Sequence, residues 1–151
     1  MVLGIIADTH GLMRPEVLDA LSGVSAVVHA GDVGSAAVLD ALAAIAPVHA
    51  IRGNVDLTGA LAKLPAKRVV RAGRARLYVL HDLAELPIDP AAKGFHAVIS
   101  GHSHKPRNEV RGGVLYLNPG AAGPRRFRLP VAVARLHVDG LVLRPEMLTL
   151  G

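Results

Sequence analysis

Residues 2–7 form a short, unbroken apolar run that gives way at once to Asp8, Thr9 and His10. That is the pattern of a buried strand with polar residues at its C-terminal end. Pro15 suits a first helical position, with Val17, Leu18 and Leu21 on one face and Gly23 as the stop. A second apolar run, 26–30, ends at Gly31 and Asp32. Ser35 then caps a helix predicted over 36–46, whose Val38, Leu39, Leu42 and Ile45 make an apolar stripe that Pro47 breaks. Residues 48–52 give a third strand, which stops at Gly53 and Asn54. This strand-helix-strand-helix-strand beginning predicts a largely parallel sheet with right-handed crossovers.

The second half changes period. Residues 68–71 and 74–80 read as a hairpin around Ala72-Gly73, and 96–100 as a strand ending in Gly101, His102, Ser103 and His104. Strands are also predicted over 114–117, 131–137 and 141–148, the last two joined by an Asp139-Gly140 turn. With no linker, repeat or low-complexity segment between the halves, the expectation is one α/β domain over 1–151: two sheets packed face to face with helices outside.

Composition narrows the chemistry. The 151 residues include eight histidines and no cysteine, which excludes disulfides, thiolate metal sites and a cysteine nucleophile. Any metal must be held by nitrogen and oxygen. The most apolar stretch, 36–51, is interrupted by Asp40, Pro47 and His49, and Asp8 cuts short the N-terminal run. Neither a membrane span nor a signal peptide is therefore expected, and the reading is a soluble, cytoplasmic protein. The net charge of +5 admits a nucleic-acid partner, but two Phe, two Tyr and no Trp leave little for base stacking. Basicity then reads as a preference for anionic substrates, and self-association stays open.

Ligand-type side chains recur at one structural place, the C-terminal ends of the predicted strands: Asp8 and His10, Asp32, Asn54, His81, then His102 and His104. In open α/β sheets ligands bind at that edge. The i, i+2 spacing within Asp8/His10 and His102/His104 puts both members on one side of an extended chain. Alone, each element has a plainer explanation, a turn or helix cap for Asp32 and a structural role for a solitary histidine. Together, two carboxylates, three or four imidazoles and a carboxamide supply the ligand count of a two-metal site, of a kind that suits Mn, Fe, Zn, Co or Ni better than Mg or Ca.

The ordered set D-x-H (Asp8, His10), G-D (Gly31, Asp32), G-N-x-D (Gly53, Asn54, Asp56), His81 and G-H-S-H (Gly101 to His104) resembles the calcineurin-like metallophosphoesterases. Asn118-Pro119-Gly120 is similar to a turn of their small bacterial and archaeal phosphodiesterase branch. The resemblance implies a four-layer α/β/β/α sandwich of two mixed sheets. It implies that Asp8, His10, Asp32 and His104 hold one ion, and Asp32, Asn54, His81 and His102 the other. Asp32 would bridge them through its two carboxylate oxygens, and a shared hydroxide would attack phosphorus in line. Asp8, His10, Asp32, Asn54 and His102 are thereby the candidate catalytic residues, with Asp56 orienting a ligand from behind.

Two positions depart from the family pattern. Where many members carry a proton-donating histidine after the asparagine, this chain has Val55, and the loss of a general acid usually costs about 10²- to 10⁴-fold. Where relatives read H-G-H, this chain reads His81-Asp82-Leu83. Arg125 and Arg126 are candidates for contacting a substrate phosphate, and Arg128 lies close by; a solvated loop explains all three as simply. His29, His49, His96 and His137 fall outside the pattern and read as structural or surface residues, His29 being the one nearest the site. Ser103 lacks the second glycine of a nucleophile elbow. The leading expectation is a dinuclear phosphodiesterase for a small, nucleotide-like phosphoester. Its competitor is a scaffold on the same fold, with or without metal, like the small metallophosphoesterase-like subunit of retromer.

Overall fold

The computed structural model describes residues 1–126 and 128–150. Phe127 and Gly151 lie outside them. The first half runs β1 (Val2–Ile6), α1 (Pro15–Ala20), β2 (Ala26–His29), α2 (Ala36–Ala43) and β3 (Val48–Ala50). β1, β2 and β3 are parallel neighbours. Next come β4 (Lys67–Ala72), β5 (Ala75–Leu80), β6 (Ala97–Ile99), β7 (Arg107–Arg111), β8 (Val114–Asn118), β9 (Val131–Asp139) and β10 (Val142–Leu150). Two five-stranded mixed sheets result, ordered β10-β9-β1-β2-β3 and β4-β5-β6-β8-β7.

The period-2 rule explains which side chains fill the space between them. Leu3, Ile5 and Ala7 alternate inward from the first sheet to meet Val79, Leu77, Ile99 and Leu117 of the second. Ile6 and Val27 point the other way, onto Val17 and Leu21 of α1 and Val38 and Leu42 of α2. Both helices cover the first sheet. The outer face of the second, at Leu80, Val98 and Val114, is covered by the single 3₁₀ turn Leu83–Glu85 and Leu86 beyond it.

Several boundaries differ from the sequence reading. Residues 107–111, for which the sequence reading assigns no element, form the exposed edge strand β7; its five residues lack the alternation that identifies a half-buried strand. A 3₁₀ turn occupies Gly59–Lys63, between β3 and β4. In the last hairpin Asp139 pairs with Val142, so the central turn residues are Gly140 and Leu141, with Gly140 at φ 60°. That is the II′ pattern, displaced by one residue from the predicted turn.

His49, His96 and His137 lie on this framework away from the strand ends that carry the candidate ligands. His96 Nδ1 accepts a hydrogen bond from the Arg76 amide, and His137 pairs with Glu146 across β9 and β10.

Candidate metal centre

β1, β2, β5 and β6 all deliver their C-terminal ends to one edge of the sandwich, and Asp8, Asp32, His81 and His102–His104 follow them directly. The convergence arises differently from the predicted extended spacing. β1 stops at Ile6 and β6 at Ile99, and Asp8, His10, Asp32, His102 and His104 sit at φ 54°, 46°, 55°, 70° and 62°. Among the described residues these five are the non-glycine positions with left-handed backbone. Such geometry costs about 1–3 kcal/mol per residue and persists only where surrounding bonds impose it. Here backbone hydrogen bonds link the loops past the strand ends: Asp8 N–H donates to Gly31 O (3.0 Å), His10 N–H to Asp32 O (3.0 Å) and Gly11 N–H to Val33 O (2.8 Å).

Each carboxylate has one oxygen tied to backbone and one facing imidazoles. Asp8 Oδ2 accepts the His102 amide at 2.9 Å, and Asp32 Oδ1 accepts the Val55 amide at 3.1 Å. Asp8 Oδ1 lies 3.9 Å from His10 Nε2, 3.8 Å from His81 Nε2 and 3.6 Å from His104 Nε2. Asp32 Oδ2 lies 3.6 Å from His10 Nε2 and 3.2 Å from His81 Nε2. Asp32 Oδ2 thus faces His10 and His81 together, while Oδ1 is held by the Val55 amide.

Among the described residues, two groups of three converge closely enough to share a cation: Asp8, His10 and His104, and Asp8, Asp32 and His81. Asp8 Oδ1, His10 Nε2 and His81 Nε2 are buried and have no hydrogen-bond partner. Buried polar atoms are almost always bonded, and these atoms fit a divalent transition ion in donor chemistry. His81 is prepared for it, since its Nδ1 donates to Ala30 O at 2.7 Å and leaves the Nε2 lone pair for the ion. His102 stands further out, 43% exposed, with its ring centroid 5.2 Å from that of His81 and its Nε2 3.7 Å from Asp82 Oδ2. Asn54 is exposed, beside His81 and Asp82 on the wall of one cleft.

The supporting residues follow the same logic. Asp56 is buried and accepts from three amides, those of Val33 (3.0 Å), Gly34 (2.9 Å) and Gly53 (2.8 Å), so it ties the loop after β2 to the loop after β3. Gly53 is required there, because a Cβ would run into the backbone and carboxylate of Asp32. The sequence marks Asn118 only as part of a turn. Its side chain donates to Gly101 O (2.9 Å) and Ser103 Oγ (3.2 Å), shaping the G-H-S-H loop from another strand. The motif flagged the residue, but its partners lie too far away in sequence to be read. Arg126 is exposed on a loop whose Gly123 amide binds Asp8 O at 3.2 Å, and its charge is felt at Asp8, His10 and His104.

Calcineurin-like phosphoesterase superfamily domains match this sequence over residues 1–140. The chain belongs to that family. A probable metallophosphoesterase of Methanothermobacter thermautotrophicus is 32% identical over 163 residues, spanning 100% of this chain and 94% of the relative. In fold, a novel archaeal phosphodiesterase superposes with a TM-score of 0.81 at 23% identity, covering 98% of this chain and 100% of its own. Vps29 of Entamoeba histolytica, solved in complex with Zn²⁺, superposes with a TM-score of 0.77 at 22% identity over 99% of both chains. For this metallophosphoesterase, family membership carries the fold, the hydrolase class and metal dependence.

The electrostatics give metal uptake a pH dependence. Burial, opposed by His81 and reinforced by Asp32, raises the Asp8 carboxyl to about 7. Burial also acts to raise Asp32, but the His81 contact and the Val55 amide outweigh it and hold Asp32 at about 2. Burial acts to lower His81, and Asp32 with the Ala30 carbonyl reverses this, raising it above the ordinary imidazole value. Burial, Arg126 and His10 lower His104 to about 4. In the metal-free protein, ionising Asp8 therefore costs stability as pH rises from the ordinary carboxylate range through about 7. The favourable contribution of Asp32 is lost only as pH falls through about 2. A cation relieves the Asp8 cost but must displace a proton from Asp8 and His81 at lower pH. The rise in melting temperature on adding Mn²⁺ is expected to be larger at pH 8 than at pH 5.5, measured by differential scanning fluorimetry; an equal or larger rise at pH 5.5 contradicts it.

Proposed function

We propose that this protein is a divalent-metal-dependent phosphodiesterase acting on a small, nucleotide-like phosphodiester. The observation that carries the reading is the convergence of the buried, unbonded Asp8 Oδ1, His10 Nε2 and His81 Nε2 beside Asp32 Oδ2. Two divalent ions there, Mn²⁺ foremost with Fe, Zn, Ni or Co as alternatives, would supply Lewis acidity and an activated water for in-line displacement at phosphorus. Asp8, His10, Asp32 and His104 would hold one, and Asp32, Asn54, His81 and His102 the other.

The remaining groups act on the substrate. Arg126 brings a positive charge to the mouth of the site, where an anionic phosphoryl group arrives. Asp82 lines two clefts, one of about 270 Å³ with Asn54 and His81 and one of about 310 Å³ with His102 and Ser103. Both are at the small end for ligand sites. A phosphodiester has a substituent for each, and a monoester fills one. Val55 has no proton to give, so a good leaving group is favoured. The competing scaffold reading draws on the exposed Val55 and Leu57, but it leaves the unbonded ligand atoms and five strained backbones without a purpose.

Stripping metal with a chelator and restoring Mn²⁺ is expected to recover hydrolysis of an activated aryl phosphodiester, faster than that of the matching monoester. Asp32→Ala should abolish both metal uptake and turnover. A folded, Mn²⁺-loaded protein that hydrolyses neither substrate refutes the enzymatic reading. Arg126→Ala should raise KM for the diester roughly tenfold with kcat little changed, the signature of lost ground-state binding to a charged group; steady-state kinetics with unchanged KM would remove Arg126 from the substrate site.

A further inference from the structure

His29 is the last residue of β2, wholly buried, and none of the roles above uses it. Both of its ring nitrogens are bonded. Nδ1 lies 3.1 Å from the amide nitrogen of Gly31, which can only donate, so Nδ1 carries a lone pair. Burial keeps the ring neutral, lowering its pKa to about 4. The single ring proton is therefore on Nε2, 3.0 Å from Thr9 Oγ1. Having accepted that bond, the Thr9 hydroxyl donates to Val33 O at 2.8 Å. The donors and acceptors of this three-bond relay are all matched, and the tautomer and hydroxyl orientation follow from the partners alone.

The anchor points define its role. Gly31 and Val33 flank Asp32, and Thr9 sits between Asp8 and His10. The imidazole holds the Gly31 amide on one side of Asp32, and the Thr9 hydroxyl that it bonds holds the Val33 carbonyl on the other, so the relay ties both neighbours of one carboxylate ligand to the residue between two other ligands. Those three ligands have left-handed backbone, which relaxes unless neighbouring bonds hold it. His29 also differs from His96 and His137, whose single side-chain partners lie away from this edge.

We infer that His29 and Thr9 are positioning residues, holding Asp8, His10 and Asp32 in their cation-ready geometry through a hydrogen-bond relay that itself touches no ion. The inference rests on reading this edge as a divalent-metal centre. It assigns a histidine outside the recurring ligand motifs to control of metal affinity.

The test is Mn²⁺ affinity of the full-length protein by isothermal titration calorimetry without substrate, with circular dichroism to verify folding. Thr9→Val keeps the side-chain shape and deletes the hydroxyl; it and His29→Leu should weaken binding about 10- to 100-fold, while Thr9→Ser stays within about threefold of wild type. If His29→Leu does not fold, the near-isosteric Thr9→Val and Thr9→Ser pair decides. A folded Thr9→Val protein that binds Mn²⁺ as wild type does overturns the inference and leaves the metal centre standing. A wild-type protein that takes up no Mn²⁺ overturns the metal centre and the inference with it. Nitrogen-15 spectra of the His29 ring give an independent readout, expected to show a proton on Nε2; a proton on Nδ1 overturns the relay whatever the metal affinity.

Discussion

Everything at the working edge of this protein depends on burying the Asp8 carboxylate with one oxygen unanswered. Oδ2 is satisfied by the His102 amide, but Oδ1 faces three imidazoles and has no hydrogen bond. A buried carboxylate in that state costs free energy until a proton or a cation arrives, and burial accordingly raises its pKa to about 7. The arrangement is poor for the stability of the bare fold and good for capturing a metal ion.

The sandwich makes this tenable by spreading the constraint over four strand ends. Beyond the parallel pairing of β1 with β2, backbone hydrogen bonds join the two ligand loops that follow them. Asp56 gathers three amides from the loops after β2 and β3, and Asn118 reaches from β8 to hold the carbonyl of Gly101. Glycine permits the closest approaches: a Cβ on Gly101 would sit 2.9 Å from both Ala7 Cβ and Asp8 Oδ2. The two apolar layers, one between the sheets and one under α1 and α2, anchor these strands so that the strained loops have a fixed base.

Much of this was legible in the sequence because it is written in local patterns. The apolar runs, the Pro15 and Ser35 helix starts and the ordered D-x-H, G-D, G-N and G-H-S-H sets identify the strands, the helices and the edge where ligands gather. What was not legible depends on contacts between distant segments or on backbone conformation. The i, i+2 argument assumed extended chain, whereas the ligands turn on left-handed residues. β7 was missed because an edge strand exposed throughout carries no alternation. Asn118 and His29 act through partners on neighbouring loops, and which Asp32 oxygen faces the imidazoles is set by the Val55 amide.

Anomalous scattering from crystals grown with Mn²⁺ tests the central claim most directly. The account predicts anomalous density in contact with Asp8 Oδ1 and His81 Nε2, with Asp32 Oδ2 among its ligands, and further density toward His102 and Asn54. Mn²⁺ bound elsewhere on the protein, with these atoms left bare, would contradict it.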